Sequence, residues 1–196
     1  MAQTERVNTM PGIDEKKPFV PLKIAVLTVS DTRDIADDKS GATLVGRIEA
    51  AGHVVADRRI VTDDVDLIRE RLRQWIADPA VDVVITTGGT GFTGRDVTPE
   101  AVEPLFEKRM EGFSTVFHMV SFGKIGTSTV QTRATAGVAG ATYIFCLPGS
   151  PGACRDAWDE ILRHQLDYRH GPCNFVEIMP RLDEHLRRPK AKGATA

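Results

Sequence analysis

Four aspartates and one run of glycines carry the chemistry legible in this chain. Thr86-Thr87-Gly88-Gly89-Thr90-Gly91 is followed at once by Phe92-Thr93-Gly94-Arg95-Asp96-Val97-Thr98-Pro99-Glu100. Glycine has no Cβ, so backbone N–H groups at such a turn can face inward and approach a phosphate closely. Thr86, Thr87, Thr90 and Thr93 add hydroxyls around the same loop. Two adjacent glycines alone would read as a tight turn at a strand end; the threonines with Arg95 and Asp96 move the reading toward a binding loop.

Asp31, Asp63, Asp64 and Asp96 all stand beside loops that follow apolar runs. A carboxylate next to a phosphate cradle repels the ligand unless a cation intervenes, and Mg²⁺ binds through one or two carboxylates plus phosphate oxygens. A metal–nucleotide complex is the ligand class that satisfies both features. Either member of Asp63-Asp64 could instead cap the helix that follows, and one carboxylate suffices for that. A second glycine turn, Pro148-Gly149-Ser150-Pro151-Gly152, has Ser150 at an N-cap position and Pro151 at the first helical position. It is equally readable as an ordinary strand-to-helix junction and as a second anion site.

Other chemistries are excluded by context. Gly89-Thr90-Gly91-Phe92-Thr93-Gly94 satisfies G-x-G-x-x-G, but the dinucleotide fingerprint needs a helix opening within it, whereas Pro99 places the helix start at Pro99. No lysine and Ser/Thr pair follows the glycines as in a Walker loop, and neither G-x-S-x-G nor H-E-x-x-H occurs. Cys146, Cys154 and Cys173 are odd in number and lack a C-x-x-C pattern, so buried thiols are expected. His118 borders the apolar face of its helix and reads as a packed histidine.

The elements that must position these residues alternate strand and helix. Lys23 to Ser30 is a β-branched apolar run of the kind covered on both faces of a parallel sheet. The aspartate-rich loop Asp31 to Ser40 precedes a helix with Leu44, Val45, Ile48 and Ala51 on one face, closed by Gly52. A strand ending in Ile60-Val61 leads to a helix with Val65, Ile68, Leu72, Trp75 and Ile76 at helical spacing. Val81 to Ile85 gives the third strand of a β-α-β-α-β series, which predicts right-handed crossovers and a mainly parallel sheet. Ligands of such sheets bind beyond the carboxyl ends of the strands, where Asp31, Asp63 and the glycine loop all fall. Further on, Phe113, Val116, Phe117 and Val120 mark an amphipathic helix broken at Gly123 and Gly126. Thr142 to Leu147 reads as another buried strand, and Cys154, Ala157, Trp158, Ile161 and Leu162 as the buried face of a last helix.

The 196 residues are enough for one α/β domain with a core of its own. A net charge of −2 gives no pull toward nucleic acid or an anionic membrane. No run is long enough for a membrane span and no signal peptide is visible, so a soluble cytoplasmic protein is expected. Residues 1–21 read as a flexible tail or an arm, residues 22–186 as the domain, and residues 187–196 as a disordered basic tail.

Taken together, Val29-Ser30-Asp31, Thr62-Asp63-Asp64, Thr86 to Gly91 with Arg95-Asp96-Val97-Thr98-Pro99-Glu100-Ala101, and Leu147-Pro148-Gly149-Ser150-Pro151 resemble the molybdenum cofactor biosynthesis proteins MoaB and MogA. The G domains of gephyrin and its plant relatives belong to the same group. The resemblance spans roughly residues 22 to 180. Gly126 to Arg133 and Pro172-Cys173-Asn174-Phe175 look closest to the MoaB branch. The resemblance implies a three-layer α/β/α fold, a homo-trimer or hexamer, and a molybdopterin site. In active members AMP is transferred from Mg-ATP to the molybdopterin phosphate with release of pyrophosphate. Carried over by position, Asp63 and Asp96 match the acidic pair required for Mg²⁺-dependent adenylylation. Gly88, Gly89, Thr90 and Gly91 match the phosphate and pterin loop, and Asp31, Thr98 and Ser150 line the same pocket. The alternative is a non-catalytic, oligomeric molybdopterin-binding protein, because some MoaB-branch members work beside a MogA paralogue.

Overall fold

The computed structural model describes residues 12–187. In chain order its elements are β1 (Gly12–Ile13), β2 (Lys23–Val29), α1 (Lys39–Ala50), β3 (Val54–Val61), α2 (Val65–Ile76), β4 (Val83–Thr87) and α3 (Thr98–Val102). They continue with β5 (Lys108–Arg109), α4 (Glu111–Ile125), β6 (Thr135–Ala139), β7 (Thr142–Leu147), α5 (Pro151–Ala157) and β8 (His170–Gly171). Short helical turns follow β8 up to Arg187.

Six strands form one sheet in the order β3-β2-β4-β7-β6-β5. The first four are parallel, as the alternation of strands and helices predicts. β6 pairs antiparallel with β7 and β5 antiparallel with β6, so within this sheet β6 alone runs against the others. β6 is an addition to the sequence reading, which marks no strand between the helix broken at Gly126 and the strand Thr142 to Leu147. Its residues are small, and all five are buried. Gly137 shows why they must be: a Cβ there would lie 2.4 Å from the Phe106 ring. Gly140, at φ 59°, turns β6 into β7.

The central strands are buried on both faces, so alternate side chains feed two cores. Ile24 and Val26 of β2 join Leu44, Ile48, Phe113, Phe117, Phe145 and Trp158 under α1, α4 and α5. Ala25, Leu27 and Val29 of the same strand join Ile68, Leu72, Trp75, Val84 and Ile144 under α2. These two cores make three layers, α/β/α. Each fully buried Leu or Ile side chain contributes about 1.5–3 kcal/mol relative to an exposed one, so the sheet centre holds most of the rigidity on which the strand-end loops are mounted.

Three boundaries differ from expectation. α4 runs through Gly123 and stops only at Gly126, whose φ of 59° suits glycine. α3 begins at Thr98, one residue before the expected start at Pro99. Finally, the part of the N-terminal segment that is described lies on the domain: Gly12–Ile13 pairs antiparallel with His170–Gly171, and the Phe19 ring packs 5.1 Å from His53. Residues 1–11 and the basic stretch 188–196 lie outside the described residues.

Candidate functional site

The carboxyl ends of β2, β4 and β7 meet at an open cleft of about 420 Å³. Its walls include Ser30 after β2, Gly88 to Gly91 after β4, and Pro148 to Ser150 after β7. Asp63, Arg95, Asp96, Arg33, Gln131 and Thr132 complete it. A larger cavity of about 850 Å³ lies at the start of α4, between Ile13, Met110, Phe113, Val116, Ile161 and Phe175. Its surface is mainly apolar, with Arg109, Glu111, Glu160, His164 and His170 also in its lining, and it contains none of the strand-end carboxylates or glycines, so the phosphate chemistry expected from those residues belongs to the smaller cleft.

Backbone geometry explains the glycines of the first turn. Gly88 and Gly89 have φ of 105° and 63°, a region open to glycine and strained for other residues. A Cβ on Gly88 would lie 2.2 Å from the Val29 carbonyl oxygen, and one on Gly89 would lie 2.4 Å from Thr98 Oγ1. The Gly88 amide donates to Leu147 O at 3.1 Å, fastening the turn to β7. Among the described residues no protein acceptor takes the amides of Gly89 and Thr90. Those two N–H groups are the ones left to a ligand.

Thr98, expected to line the pocket, is fully buried, and its hydroxyl donates to Gly88 O at 2.8 Å. It is a strut under the turn and does not reach the cleft. Asp31 flanks the cleft without lining it. Its Oδ2 accepts from Arg95 Nε at 2.8 Å and its Oδ1 from the Asp63 amide at 3.1 Å. Arg95, with the Asp63 N–H, holds the Asp31 carboxyl below its ordinary value.

The two candidate metal carboxylates do face the cleft. Asp64 is the cap of α2, accepting from the Asp66 and Leu67 amides at 2.9 and 3.0 Å, which leaves Asp63 uncommitted to that role. Asp63 Oδ1 stands 3.1 Å from where a Gly89 Cβ would be, and Asp96 Oδ2 stands 2.8 Å from a Gly91 Cβ. Both acids therefore press against the same turn, two residues apart. Partial burial, followed by the negative charge of Asp31, pushes the Asp63 carboxyl above its ordinary value. Asp96 goes the other way. Burial raises it, but the Thr93 hydroxyl and amide, donating at 2.6 and 2.9 Å, outweigh that and hold it low.

This donor set fits Mg²⁺: two hard carboxylate oxygens on one wall, with room for phosphate oxygens and water to complete the shell. Among the described residues no group of three or more His, Cys, Asp or Glu forms a self-sufficient metal cage. The cation would depend on the nucleotide it accompanies.

Ser150 lines the cleft, and its hydroxyl accepts from the Ala153 amide at 3.1 Å as the N-cap of α5. The second turn is thus a strand-to-helix junction with a capping serine. Arg133 serves the first turn instead of the cleft. Its guanidinium donates to Gly91 O and Asp96 O, both at 2.8 Å, and pairs with Glu100. His118 is held between carbonyls of Ser114 and Thr132, the packed histidine expected. Cys146 and Cys154 are buried as expected, with burial pushing their thiols up to about 12 and about 11, whereas Cys173 is exposed, contrary to the expectation. Neither buried thiol supplies a nucleophile.

Sequence reasoning missed Arg33, Ser40, Gln131 and Thr132. Arg33 and Ser40 lie in and after a loop crowded with aspartates, which hid them. There Asp38 is buried, accepting from Thr28 Oγ1, the Gly41 amide and Arg58 at 2.7, 2.8 and 2.9 Å. It anchors the start of α1, so that Ser40 Oγ donates to Gly149 O at 2.8 Å and Arg33 Nη1 to the same oxygen at 3.1 Å.

Comparison with known proteins gives the cleft a family. Residues 25–168 match the family model described as "Probable molybdopterin binding domain". The molybdenum cofactor biosynthesis protein B of Escherichia coli K12 is 52% identical over 157 residues, covering 80% of this chain and 92% of that protein. A crystal structure of a molybdenum cofactor biosynthesis protein B superposes with a TM-score of 0.74 at 34% identity, covering 88% of this chain and all of the other. The tungsten cofactor synthesizing protein MoaB of Pyrococcus furiosus superposes at 0.69 with 33% identity, covering 83% and 98%. The chain belongs to the MoaB/MogA family of molybdenum cofactor biosynthesis proteins and carries its molybdopterin-binding domain.

Proposed function

We propose that this protein binds molybdopterin in the glycine cleft and transfers AMP to its terminal phosphate from Mg-ATP, in the cytoplasm, as a trimer or hexamer. The observation that carries the proposal is the placement of Asp63 and Asp96 against one turn whose Gly89 and Thr90 amides are unclaimed. The reaction needs no protein nucleophile. An oxygen of the molybdopterin phosphate attacks the α-phosphorus, the bond from that phosphorus to the bridging oxygen breaks, and pyrophosphate leaves with the electron pair. Bound magnesium supplies charge neutralisation for the phosphates. The protein aligns the two phosphates and directs N–H dipoles at the charge that develops between them.

The test is incubation of the full chain with molybdopterin and Mg-ATP, following adenylylated molybdopterin and pyrophosphate. Asp63→Asn and Asp96→Asn are each expected to cut turnover at least a hundredfold while molybdopterin still binds. A second reading, binding without turnover, draws support from Asp96, whose Oδ2 already serves the Thr93 amide and hydroxyl. Absence of adenylylated product with the pterin bound decides for that reading.

For assembly, α4 supplies a surface. Met119, Phe122 and Ile125 follow one another every three residues and are more than half exposed, as is Val130 just beyond. An apolar strip of this kind on a soluble helix fits a subunit contact. Phe122→Glu is expected to lower the mass measured in solution by light scattering, and an unchanged mass moves the contact elsewhere.

A further inference from the structure

Three arginines stand around the cleft, and their commitments differ. Arg95 is paired with Asp31. Arg133 is paired with Glu100 and spends its other donors on loop carbonyls. Arg33 has no carboxylate partner among the described residues. Only its Nη1 is engaged, by Ser40 Oγ at 3.3 Å and Gly149 O at 3.1 Å, and it lines the cleft half-buried.

Charge is therefore uneven across the cleft, because Arg95, which lines it beside Asp63 and Asp96, is neutralised by Asp31, whereas Arg33 is not paired with an acid among the described residues. Asp63 and Asp96 stand against Gly89 and Gly91. Arg33 is held at Gly149, on the other turn. The turns themselves touch, since a Cβ on Gly149 would lie 3.2 Å from Gly88 Cα. Two phosphate groups seated here meet opposite surroundings. One that carries a divalent cation is favoured at the acidic wall. A bare phosphomonoester dianion is repelled there and attracted to a guanidinium, whose planar fork suits two phosphate oxygens at once.

We infer that Arg33 is the receptor for the metal-free phosphate of molybdopterin, and that the acidic wall takes the phosphates of Mg-ATP. The inference rests on the proposed function and adds to it the direction in which the two substrates lie. The accepting phosphate sits on the Gly149 side, the leaving pyrophosphate on the Asp63 and Asp96 side, and the α-phosphorus between them. Arg33 also acts as a selector, since a pterin without its phosphate gains nothing from it.

Isothermal titration of the full chain with molybdopterin, dephosphorylated molybdopterin and Mg-ATP tests this. Wild type is expected to bind molybdopterin at least tenfold more tightly than the dephosphorylated form. Arg33→Gln should erase that preference, leaving affinity for the dephosphorylated form and for Mg-ATP within about twofold. Arg33→Lys should restore part of the preference, which separates lost charge from a disturbed Gly149 contact. Retained preference in Arg33→Gln overturns the assignment and leaves the proposed function standing, as does an equal loss for both pterins that Arg33→Lys fails to relieve. A larger loss for Mg-ATP than for molybdopterin reverses the direction and overturns it too. Wild type that binds neither pterin overturns the proposed function and the assignment with it.

Discussion

Two glycine turns, one after β4 and one after β7, meet at the cleft, and they use glycine for different reasons. In Gly88-Gly89 the backbone itself is left-handed, and the space where side chains would project is filled by Val29 O and Thr98 Oγ1. In Pro148-Gly149-Ser150 no residue has positive φ, and glycine is favoured only by close packing, with Gly88 Cα 3.2 Å from the position of its Cβ. The first turn opens no helix for several residues and keeps unpaired amides. The second enters α5 at once, and Ser150 takes an amide there. Left-handed backbone and open donors are thus concentrated at the turn that carries the acids.

The largest test of this contrast is Gly88→Ala against Gly149→Ala. The first should cost about 3 kcal/mol or more in urea unfolding, because a forbidden φ and a backbone clash act together; the second should cost about 1 kcal/mol from close packing alone. Equal costs would dissolve the distinction. Next come the caps. Ser150→Ala and Asp64→Ala should each cost about 1 kcal/mol through loss of an N-cap. Asp64→Ala should leave turnover within a fewfold of wild type, in contrast to Asp63→Asn one residue away.

The smallest effect is in pH dependence and concerns the acids on the first turn. Asp63 has a native carboxyl raised above the unfolded value of 3.8. Its protonated form is stabilising below that value, and this stability is lost as pH rises through the native pKa. Asp63→Asn should therefore raise the melting temperature of the ligand-free protein at pH 7 and leave it unchanged near pH 3. Asp96 has the opposite shift. Its contribution is present above 3.8 and lost as pH falls through the lower native value, so Asp96→Asn should lower the melting temperature at pH 7. Shifts of the same sign, read by calorimetry, would show that the two acids share one environment.

Much of this arrangement is legible in the sequence because periodicity and turn chemistry are local. β2, β4 and β7 announce themselves as apolar runs, α1 and α2 as amphipathic spacing, and Ser150-Pro151 as a helix start. What escapes is decided by contacts distant in sequence. Asp63 and Asp64 are equivalent as residue types, and only the fold assigns the cap to Asp64. Thr98 has the right chemistry for a ligand contact, yet Gly88 O lies beneath it. β6 has only Thr135 and Val138 as β-branched residues among Ala136, Gly137 and Ala139, and a Cβ at Gly137 would meet the Phe106 ring. Arg33 is one charge among four nearby acids, Asp31, Asp34, Asp37 and Asp38, until its bond to Gly149 places it.

The reversed direction of β6 has a consequence for how the binding site can change over time. Because that strand starts at the same rim where β7 ends, the segment leading into it delivers Gln131 and Thr132 to the cleft. This wall hangs on the link between α4 and β6, outside the series of parallel crossovers that fixes the glycine turns. Insertions or replacements in residues 126–132 can reshape what the cleft accepts while the register of the parallel strands, and with it the placement of the glycine turns, stays as it is. The same segment adjoins the exposed apolar strip on α4, so alterations that reshape the cleft can also reshape that surface, and the two are free to evolve together.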